Sequence, residues 1–432
     1  MNRIKLRGFY QGYRLSIGLF VFWFLYLFVL TRYALWSHVG VSHMEPLFAD
    51  LHAILSAIDC NGRGINVFET NPCDVAGRVH VYGSLWLSLG QLGLGSAHLF
   101  SKGFIVDIVF MAIAVMLLKP SSKREFAKSC LILFSPAVTL GIERANNDLI
   151  VFSLLAVSAL LYAKRDGFAQ VSSLVIIYLS ALLKFYPSVL LASSLIILKR
   201  NIKELIVFKL VTISLFAIWL TTNLNELLLI KDIAPKPLDF YATGARALLA
   251  YVGRPYPWIL SIPTLWLFSG FIAVVAVGAI ALASRLKSAD IQPSSSRFNY
   301  VIFIFGLSIL FATYALNSNY DYRWVFFIFA MPLLFDIQKA NASDSFASRV
   351  ATIGLICASL TMWMEAFRAS GVFGLVNINV FFNIGRSTFS IELFQQFIKE
   401  FSAWVLFAIL FAFAIKQSPF AMPRLNWRHP RQ

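Results

Sequence analysis

The stretch 16-SIGLFVFWFLYLFVLTRYALW-36 decides the class of this protein, because it is a long apolar run whose one charged residue is Arg32. A run of roughly 20 apolar residues can cross the hydrocarbon core of a bilayer as a helix. No small-residue cleavage site follows it, so we expect a retained membrane helix instead of a cleaved signal peptide. Similar runs recur as far as Ile415, and 59% of all residues are hydrophobic while 13% are charged. The composition therefore predicts an all-α, polytopic integral membrane protein.

The net charge of +16 is interpreted as a topology signal, and we expect no nucleic-acid partner. Cytoplasmic loops of membrane proteins collect Lys and Arg. Seven segments assigned to the cytoplasmic side hold 23 of the 37 basic residues but, with Asp336 at their edge, only 6 of the 21 acidic residues. Both termini then lie inside, which requires an even number of crossings. The seven segments are residues 1–15, 119–128, 164–167, 199–209, 284–297, 338–349 and 416–432.

An even number of crossings places the apolar piece 84–100 at the outer interface, since a further span there would move the basic segment after it to the outside. We predict a single polytopic domain over residues 1–432 with about twelve spans (10–13). The pair over 168–198, broken by KFYP, is alternatively a re-entrant hairpin. Besides 16–36, the predicted spans lie near 104–118, 127–142, 149–163, 168–183, 187–198, 205–222, 259–283, 298–316, 324–337, 350–366 and 397–415.

Three extracytoplasmic loops follow from this arrangement, at residues 37–100, 223–258 and 367–396. Within the first, apolar residues recur at helical spacing and predict an amphipathic helix that lies on the membrane surface. Asp50 lies at the border of that apolar stripe, where it either caps the helix or takes a proton from a hydroxyl group. The stripe consists of Leu47, Leu51, Ile54, Leu55 and Ile58.

The first outer loop also contains two of the four cysteines, Cys60 and Cys73. An extracytoplasmic pair predicts a disulfide, and a zinc or redox pair is the alternative. The other two, Cys130 and Cys357, lie in or beside spans and are interpreted as packing residues.

Three further outer turns are short and charged, and charges between apolar spans are usually functional. Arginine binds phosphate through two parallel hydrogen bonds, and lysine supplies a point charge. Three cations on one membrane face therefore predict a phosphate or diphosphate site, with salt bridges to neighbouring acids as the alternative for each. The turns are GIERANNDLIVF with Glu143, Arg144, Asn146, Asn147 and Asp148, LLKFYPS with Lys184 and Tyr186, and NSNYDYRW with Asp321, Tyr322 and Arg323.

Four motifs together resemble the GT-C class of polytopic glycosyltransferases over residues 10–200, and most closely a bacterial branch similar to polyprenyl-phosphate-mannose-dependent mannosyltransferases. The motifs are Asp50 in the first outer loop, YGSLW at 82–86, the ER-x-NND turn and the LLKFYP turn.

The resemblance implies a GT-C-like bundle in the bacterial cytoplasmic membrane with its active site outside. It also implies inverting transfer of mannose, or another hexose or pentose, from a polyprenyl-phosphate donor to a hydroxyl of a lipid or glycan acceptor. Asp50 would be the general base, and the donor phosphate would be held by Arg144, Lys184, Tyr186 and Arg323. Secondary or acceptor residues would be Tyr82, Glu143, Asn147, Asp148 and Asp321.

Two departures from the family pattern bear on the metal and on the sugar. Many GT-C members carry paired carboxylates that bind a divalent cation, but Asp50 has no adjacent acid, Glu45 being the nearest before it. The resemblance therefore implies no metal, although Glu143 and Asp148 could complete a cation site across loops. Asn146 and Asn147 stand where the mannosyltransferase-like branch often has Gly-Gln. A transporter or flippase of lipid-linked sugars is the competing function, and it would place charges near the membrane midplane.

Overall fold

The residues that the structure describes fold mainly as a bundle of helices, as the composition predicts. The computed structural model describes residues 3–164, 166–197, 202–235, 241–244, 247, 264–287, 291, 296–315, 319–340, 345–370 and 391–417. Short 3₁₀ helices cover Ser37–Val39, Leu89–Leu92, Tyr186–Ser188 and Asp321–Phe329, and β1 (Ala242–Thr243) pairs antiparallel with β2 (Asn319–Tyr320). The α-helices are α1 (Arg3–Arg32), α2 (Ala49–Gly62), α3 (Leu85–Ser88), α4 (Leu99–Leu118), α5 (Lys123–Leu133), α6 (Pro136–Glu143), α7 (Asn147–Ala163), α8 (Gly167–Leu183), α9 (Val189–Ile197), α10 (Ile202–Ile233), α11 (Thr264–Arg285), α12 (Arg297–Ala315), α13 (Met331–Ala340), α14 (Phe346–Ala369) and α15 (Ile391–Gln417).

Seven of the described helices are long and apolar enough to cross a membrane, and the bent pair α5 and α6 would make an eighth. The chain is therefore a multi-pass membrane protein, which confirms the predicted class. The predicted spans at 149–163, 168–183, 187–198 and 324–337 coincide with shorter helices, and α7 and α8 have 17 residues each. The seven long segments are Gly12–Arg32, Leu99–Leu118, Lys209–Ile233, Phe268–Arg285, Arg297–Ala315, Phe346–Ala369 and Leu393–Gln417.

Two predicted loop boundaries need correction, because apolar helices run further than the hydropathy of their centres indicated. Helix α10 continues to Ile233, so residues 223–233 of the predicted loop 223–258 are helical. Helix α14 ends at Ala369 and α15 begins at Ile391, which shortens the predicted loop 367–396 at both ends. Most of what remains of these two loops, including 248–258 and 371–390, lies outside the described residues, as do residues 259–263 of the predicted span 259–283.

Polar contacts join segments assigned to the cytoplasmic side at one end of the bundle. Lys339 Nζ lies 3.3 Å from Glu125 Oε2, and Asn299 Nδ2 donates to Asp336 at 2.7 Å. At the other end α6 and α8 terminate and α7 begins, so the predicted outer turns share that end.

The core between α1, α4, α7 and the 3₁₀ helix Asp321–Phe329 is a continuous chain of aromatic rings. The ring centroids of Trp23 and Phe110 are 5.8 Å apart, those of Phe110 and Phe152 are 4.9 Å apart, and those of Phe152 and Phe329 are 4.3 Å apart. Association of helices in lipid relies on close packing of this kind, since lipid tails are as apolar as the side chains. The packing holds the first residues of α7 and of the 3₁₀ helix side by side.

A break between α5 and α6 directs the chain towards the outer end. The two helices meet at an angle of 56°, and Pro136 opens α6 while Ser135 caps it. Proline at the first helical position lacks only an N–H that would be unpaired anyway. The indole N–H of Trp363 donates to the carbonyl oxygen of Leu131 at 2.6 Å, which satisfies a backbone group beside the break.

The first outer loop differs from the predicted surface helix, because the apolar stripe of α2 is covered by protein. Leu51, Ile54 and Leu55 are buried and pack in one cluster with Trp86 and Leu183. His52 and Ser56, on the other side of the helix, are buried as well. The stripe therefore faces α3, α8 and the start of α7, not lipid. Residues 84–100 form only short helical turns before α4 begins at Leu99, so this piece does not cross the membrane as a helix.

The disulfide between Cys60 and Cys73 is present, as predicted, with a sulfur–sulfur distance of 2.07 Å and a sequence separation of 13. Cys130 and Cys357 are free. The bridge joins the last turn of α2 to the irregular segment after it, and thereby anchors that segment directly before Asp74 and Arg78.

The double substitution Cys60→Ser/Cys73→Ser should lower the thermal stability of the protein. Closing a loop of this length stabilises a fold by about 3 kcal/mol, because it removes conformational freedom from the unfolded chain. Thermal unfolding in detergent, with and without reductant, measures the effect. The matched control Cys130→Ser should respond to reductant as the wild type does. Equal unfolding temperatures for the double variant and the oxidised wild type would contradict the expectation.

Candidate functional site

The start of α2 is docked onto the turn between α6 and α7 by backbone hydrogen bonds. The amide of Phe48 donates to the carbonyl oxygen of Glu143 at 3.1 Å, and that of Leu51 donates to the carbonyl of Arg144 at 3.3 Å. Helix ends leave such groups without intrahelical partners, so the two ends satisfy each other. This junction places Asp50, in the first turn of α2, beside the ER-x-NND turn.

Asp50 is the centre of the arrangement, and its side chain keeps 13% of its surface exposed. Its Oδ2 accepts a hydrogen bond from Asn146 Nδ2 at 2.5 Å. Its Oδ1 lies 3.4 Å from Arg78 Nη1 and 3.7 Å from Arg144 Nη1. An ionised carboxylate has about four acceptor positions, so these contacts orient Asp50 and still leave it able to accept a proton.

Asn146 links Asp50 to the next carboxylate along the chain. It caps α7, because its side-chain oxygen accepts from the backbone amide of Asp148 at 2.9 Å. Asparagine is among the preferred residues at this position. Since the amide nitrogen of the same side chain holds Asp50, one residue both starts α7 and connects two loops.

Arg144 is oriented by a second, buried carboxylate. Its Nε donates to Glu143 Oε2 at 2.9 Å, and its Nη2 donates to the carbonyl oxygen of Ser42 at 3.0 Å. Glu143 Oε1 in turn accepts from the amide of Met44 at 2.9 Å and lies 2.8 Å from His43 Nδ1. The salt bridge to a neighbouring acid, left open from the sequence as the alternative role of Arg144, is therefore present.

Asp148 is completely buried and gathers the other predicted cations. Its Oδ1 forms an ion pair with Lys184 and accepts from the hydroxyl of Tyr186 at 2.8 Å. Its Oδ2 lies 3.7 Å from Arg323 Nε. Two cations from two different turns thus share one carboxylate.

Three tyrosine rings surround the ammonium group of Lys184. Its Nζ lies 5.4 Å from the ring centre of Tyr82, 5.5 Å from that of Tyr322 and 5.7 Å from that of Tyr186. Arg323 also lies over the ring of Tyr186, at 5.7 Å. Ring faces attract cations, most strongly where water is excluded, so the rings hold both charges in place.

Glycine is required where the YGSLW segment meets the end of α8. A Cβ atom on Gly83 would lie 1.7 Å from the carbonyl oxygen of Leu182. The Gly83 amide donates to the carbonyl of Leu183 at 3.2 Å. This close approach puts Tyr82 next to Lys184, which explains the motif physically.

The structure brings together eight of the ten predicted catalytic, donor and secondary residues. Two others point elsewhere: Asn147 Nδ2 donates to the carbonyl of Leu183 at 3.4 Å, and Asp321 pairs with Lys399 Nζ at 2.5 Å. Lys399 also binds Glu365, at 2.9 Å, so Asp321 belongs to a second buried ion group. The eight residues are Asp50, Tyr82, Glu143, Arg144, Asp148, Lys184, Tyr186 and Arg323.

Sequence reasoning missed Arg78 and Asp74, and it gave Asn146 no separate role. Arg78 contacts Asp50 from a segment 28 residues further along the chain. Its position after the second cysteine was a usable signal, since the disulfide returns that segment to α2. The N-cap pattern of NND could have identified Asn146.

Asp74, Arg78 and His80 are among the titratable groups of the first loop whose pKa values are shifted. Burial works to raise the pKa of Asp74, but the hydrogen bonds and charge of Arg78, with a hydrogen bond from His52, lower it below its usual range. Burial works to lower the pKa of Arg78, whereas Asp74 and Asp50 raise it. Burial lowers the pKa of His80 to about 4, opposed by a contact with the carbonyl of Gly83. Asp74 and Arg78 thus form a stable ion pair, and His80 is neutral near pH 7.

Within the described ranges, no three His, Cys, Asp or Glu side chains form a group that could hold a metal ion. Glu143 and Asp148 are each engaged with basic residues, Arg144 and Lys184.

No protein-family model, curated protein or solved structure matches this chain. The site offers a partly exposed, oriented carboxylate next to a buried group in which two cations contact one acid.

The stability of the protein should fall as the pH drops from 6.5 to about 4, partly because of His80. Over this range the unfolded chain takes up a proton at the ordinary imidazole pKa of 6.5, while folded His80 does so only near 4. The slope is about 1.4 kcal/mol per pH unit for one such group. Thermal unfolding of His80→Gln should depend less on pH in this window.

The exposed His38→Gln is the matched control and should keep the wild-type slope. Below the usual aspartate range, all three proteins should lose further stability as Asp74 becomes protonated, since its folded pKa is the lower one. Identical slopes for His80→Gln and the wild type between pH 6.5 and 4 would refute the role of His80.

Proposed function

We propose that this chain is a GT-C-type glycosyltransferase that moves a sugar from a polyprenyl-phosphate carrier to an acceptor hydroxyl at the outer face of the bacterial cytoplasmic membrane. The observation that carries the proposal is the position of Asp50 beside Asn146, which connects it to the group of Asp148, Lys184 and Arg323. A proton acceptor and a cationic phosphate site are the two elements that a single inverting displacement needs.

In the proposed reaction, Asp50 takes the proton of the acceptor hydroxyl. The oxygen of that hydroxyl attacks the anomeric carbon of the sugar at the same time. The bond between that carbon and the phosphate oxygen breaks, and the electron pair leaves with the polyprenyl phosphate. The leaving phosphate gains one negative charge as Asp50 loses one. The exposed part of the Asp50 side chain is where the hydroxyl would approach.

Lys184 and Arg323 are the proposed partners of the donor phosphate, with Arg144 nearer to the base. Both lie beside the carboxylate of Asp148, which holds them in position before any substrate binds. Cations fixed in advance stabilise charge that develops on a leaving group. Tyr186 would donate a hydrogen bond or orient the other side chains in this group. Tyr82 and Glu143 would border the side of the site where the acceptor binds.

The remaining features of the proposal follow from the sequence patterns. The bundle would have about twelve spans with both termini in the cytoplasm, given the distribution of Lys and Arg. The donor sugar would be mannose or another hexose or pentose, and the acceptor an envelope glycolipid or glycan. Membrane lipid surrounds the bundle, and a divalent cation is not needed for the chemistry described.

Replacing Asp50 with Asn should reduce transfer of a radiolabelled sugar from polyprenyl phosphate by about 10²–10⁴-fold, because an amide cannot take up the acceptor proton. Membranes containing the full-length protein would be assayed with polyprenyl-phosphate mannose first and then with other sugars. The matched control is Glu69→Gln, which removes an exposed carboxylate of the same loop. Wild-type transfer rates for Asp50→Asn would rule out Asp50 as the base.

Assays of the same membranes distinguish the proposed enzyme from a transporter or flippase. A wild-type protein that transfers no sugar from any donor, but moves the labelled lipid across reconstituted vesicles, would overturn the proposed transfer and favour the flippase.

Replacing Lys184 with Gln should raise the KM for the donor and lower kcat, each by about tenfold or more, since the lost contact to the phosphate exists in the ground state and becomes stronger as the leaving phosphate gains charge. This change leaves Asp148 buried with less compensation, so the double variant Lys184→Gln/Asp148→Asn is needed as well. The double variant should regain thermal stability but not transfer. Lys231→Gln, an exposed lysine on α10, should leave both constants unchanged. Recovery of transfer in the double variant would show that Lys184 only supports folding.

A further inference from the structure

We propose that Arg78 is a positioning residue that fixes the carboxylate of Asp50 for proton transfer, an inference that rests on the proposed function. Arg78 belongs to none of the motifs that resemble the glycosyltransferases. One of its contacts nevertheless reaches Asp50, the carboxylate that the proposed reaction uses as its base.

The guanidinium of Arg78 is held rigidly by one carboxylate. Its Nε donates to Asp74 Oδ2 and its Nη2 to Asp74 Oδ1, each at 2.9 Å. Its Nη2 also donates to the carbonyl oxygen of Ala49 at 2.7 Å, and its backbone amide donates to Asp74 Oδ2 at 2.9 Å. Two parallel hydrogen bonds to a carboxylate fix the plane of the fork, which a lysine could not reproduce.

Asp74 is itself anchored from three directions. It is 4% exposed, and its Oδ1 lies 2.9 Å from His52 Nδ1 in the middle of α2. It directly follows Cys73, which is bonded to Cys60 at the end of α2. In addition, Asn71 Nδ2 donates to the carbonyl of Arg78 at 3.0 Å. The segment from Asn71 to Arg78 is therefore tied to α2 along its length.

The one part of Arg78 directed at Asp50 is Nη1, which lies 3.4 Å from Oδ1. Asn146 holds the other oxygen, Oδ2, so the two contacts together fix the orientation of the carboxylate. The carbonyl of Ala49 bound by Arg78 belongs to the residue before Asp50, so backbone and side chain are both held. The charge of Asp50 also acts on the other groups that face it, which are Arg144, Lys184, Tyr82 and Tyr322.

This arrangement gives Arg78 two separable effects. As a cation it attracts the carboxylate of Asp50 and holds one of its oxygens in place. As a rigid fork it preserves the geometry in which the acceptor hydroxyl meets Asp50, and misplacement by about 1 Å can slow a reaction by roughly 10²-fold. Arg78 does not contact the donor-side residues Lys184 or Arg323 in any described hydrogen bond or ion pair, so donor affinity should not depend on it.

The test compares Arg78→Gln, Arg78→Lys and the matched control Arg63→Gln, an exposed arginine in the same loop. With the donor that the wild type uses, we expect Arg78→Gln to lower kcat by about 10–10²-fold with little change in the donor KM. Arg78→Lys keeps the charge but not the fork, so its kcat should fall as well, again with little change in the donor KM. Arg63→Gln should match the wild type throughout.

Each outcome decides the proposal. A wild-type kcat in Arg78→Gln would overturn the positioning role while leaving the glycosyltransferase intact. A rise in donor KM alone would make Arg78 a donor-binding residue and would also overturn it. If Arg78→Gln does not fold, Arg78→Lys decides alone, since a wild-type kcat there refutes the need for the fork. Absence of transfer in the wild-type protein refutes the proposed function itself, which is a different result.

Discussion

The meeting of two helix ends is the interaction on which the outer part of this protein depends. The carbonyls of Glu143 and Arg144 end α6 and the amides of Phe48 and Leu51 begin α2, and each group would otherwise lack an intrahelical partner. Unpaired backbone groups are costly at the edge of a membrane, where little water is present to replace them. The junction therefore fixes the first outer loop to the bundle, and the partial positive charge at the start of α2 also favours the carboxylate of Asp50.

Buried charges in this protein are found in groups, because an isolated charge would be too costly at low dielectric constant. One group surrounds Asp148 and a second joins Lys399 to Asp321 and Glu365. One short segment contributes to both groups, since it carries Asp321 and Arg323. The side chain of Asp321 pairs with Lys399, and its backbone amide donates to the carbonyl of Tyr241 at 2.8 Å. The second group therefore supports the position of Arg323.

The class of fold and most of the site could be predicted from the sequence, whereas the contacts between distant loops could not. Long apolar runs and the distribution of Lys and Arg report on membrane crossings directly, and short charged turns such as that of Lys184 indicate where charge is tolerated. The apolar stripe of α2 was assigned to the membrane surface because a sequence pattern cannot distinguish lipid from protein as its cover. Trp86 and Leu183 provide that cover from other parts of the chain. Arg78 was missed for the same reason, since its partner Asp50 is remote in sequence.

The distribution of charge gives the two halves of the site different chemical characters. Around Asp148, two cations share one carboxylate. Around Asp50, by contrast, the arginines Arg78 and Arg144 are each already paired with a carboxylate of their own, Asp74 and Glu143. In the proposed reaction, the cations beside Asp148 would stabilise the charge that develops on the leaving phosphate. Asn146 connects the two halves without a charge of its own, so the proposed proton uptake at Asp50 and departure of the phosphate could be coupled while their electrostatic requirements remain separate.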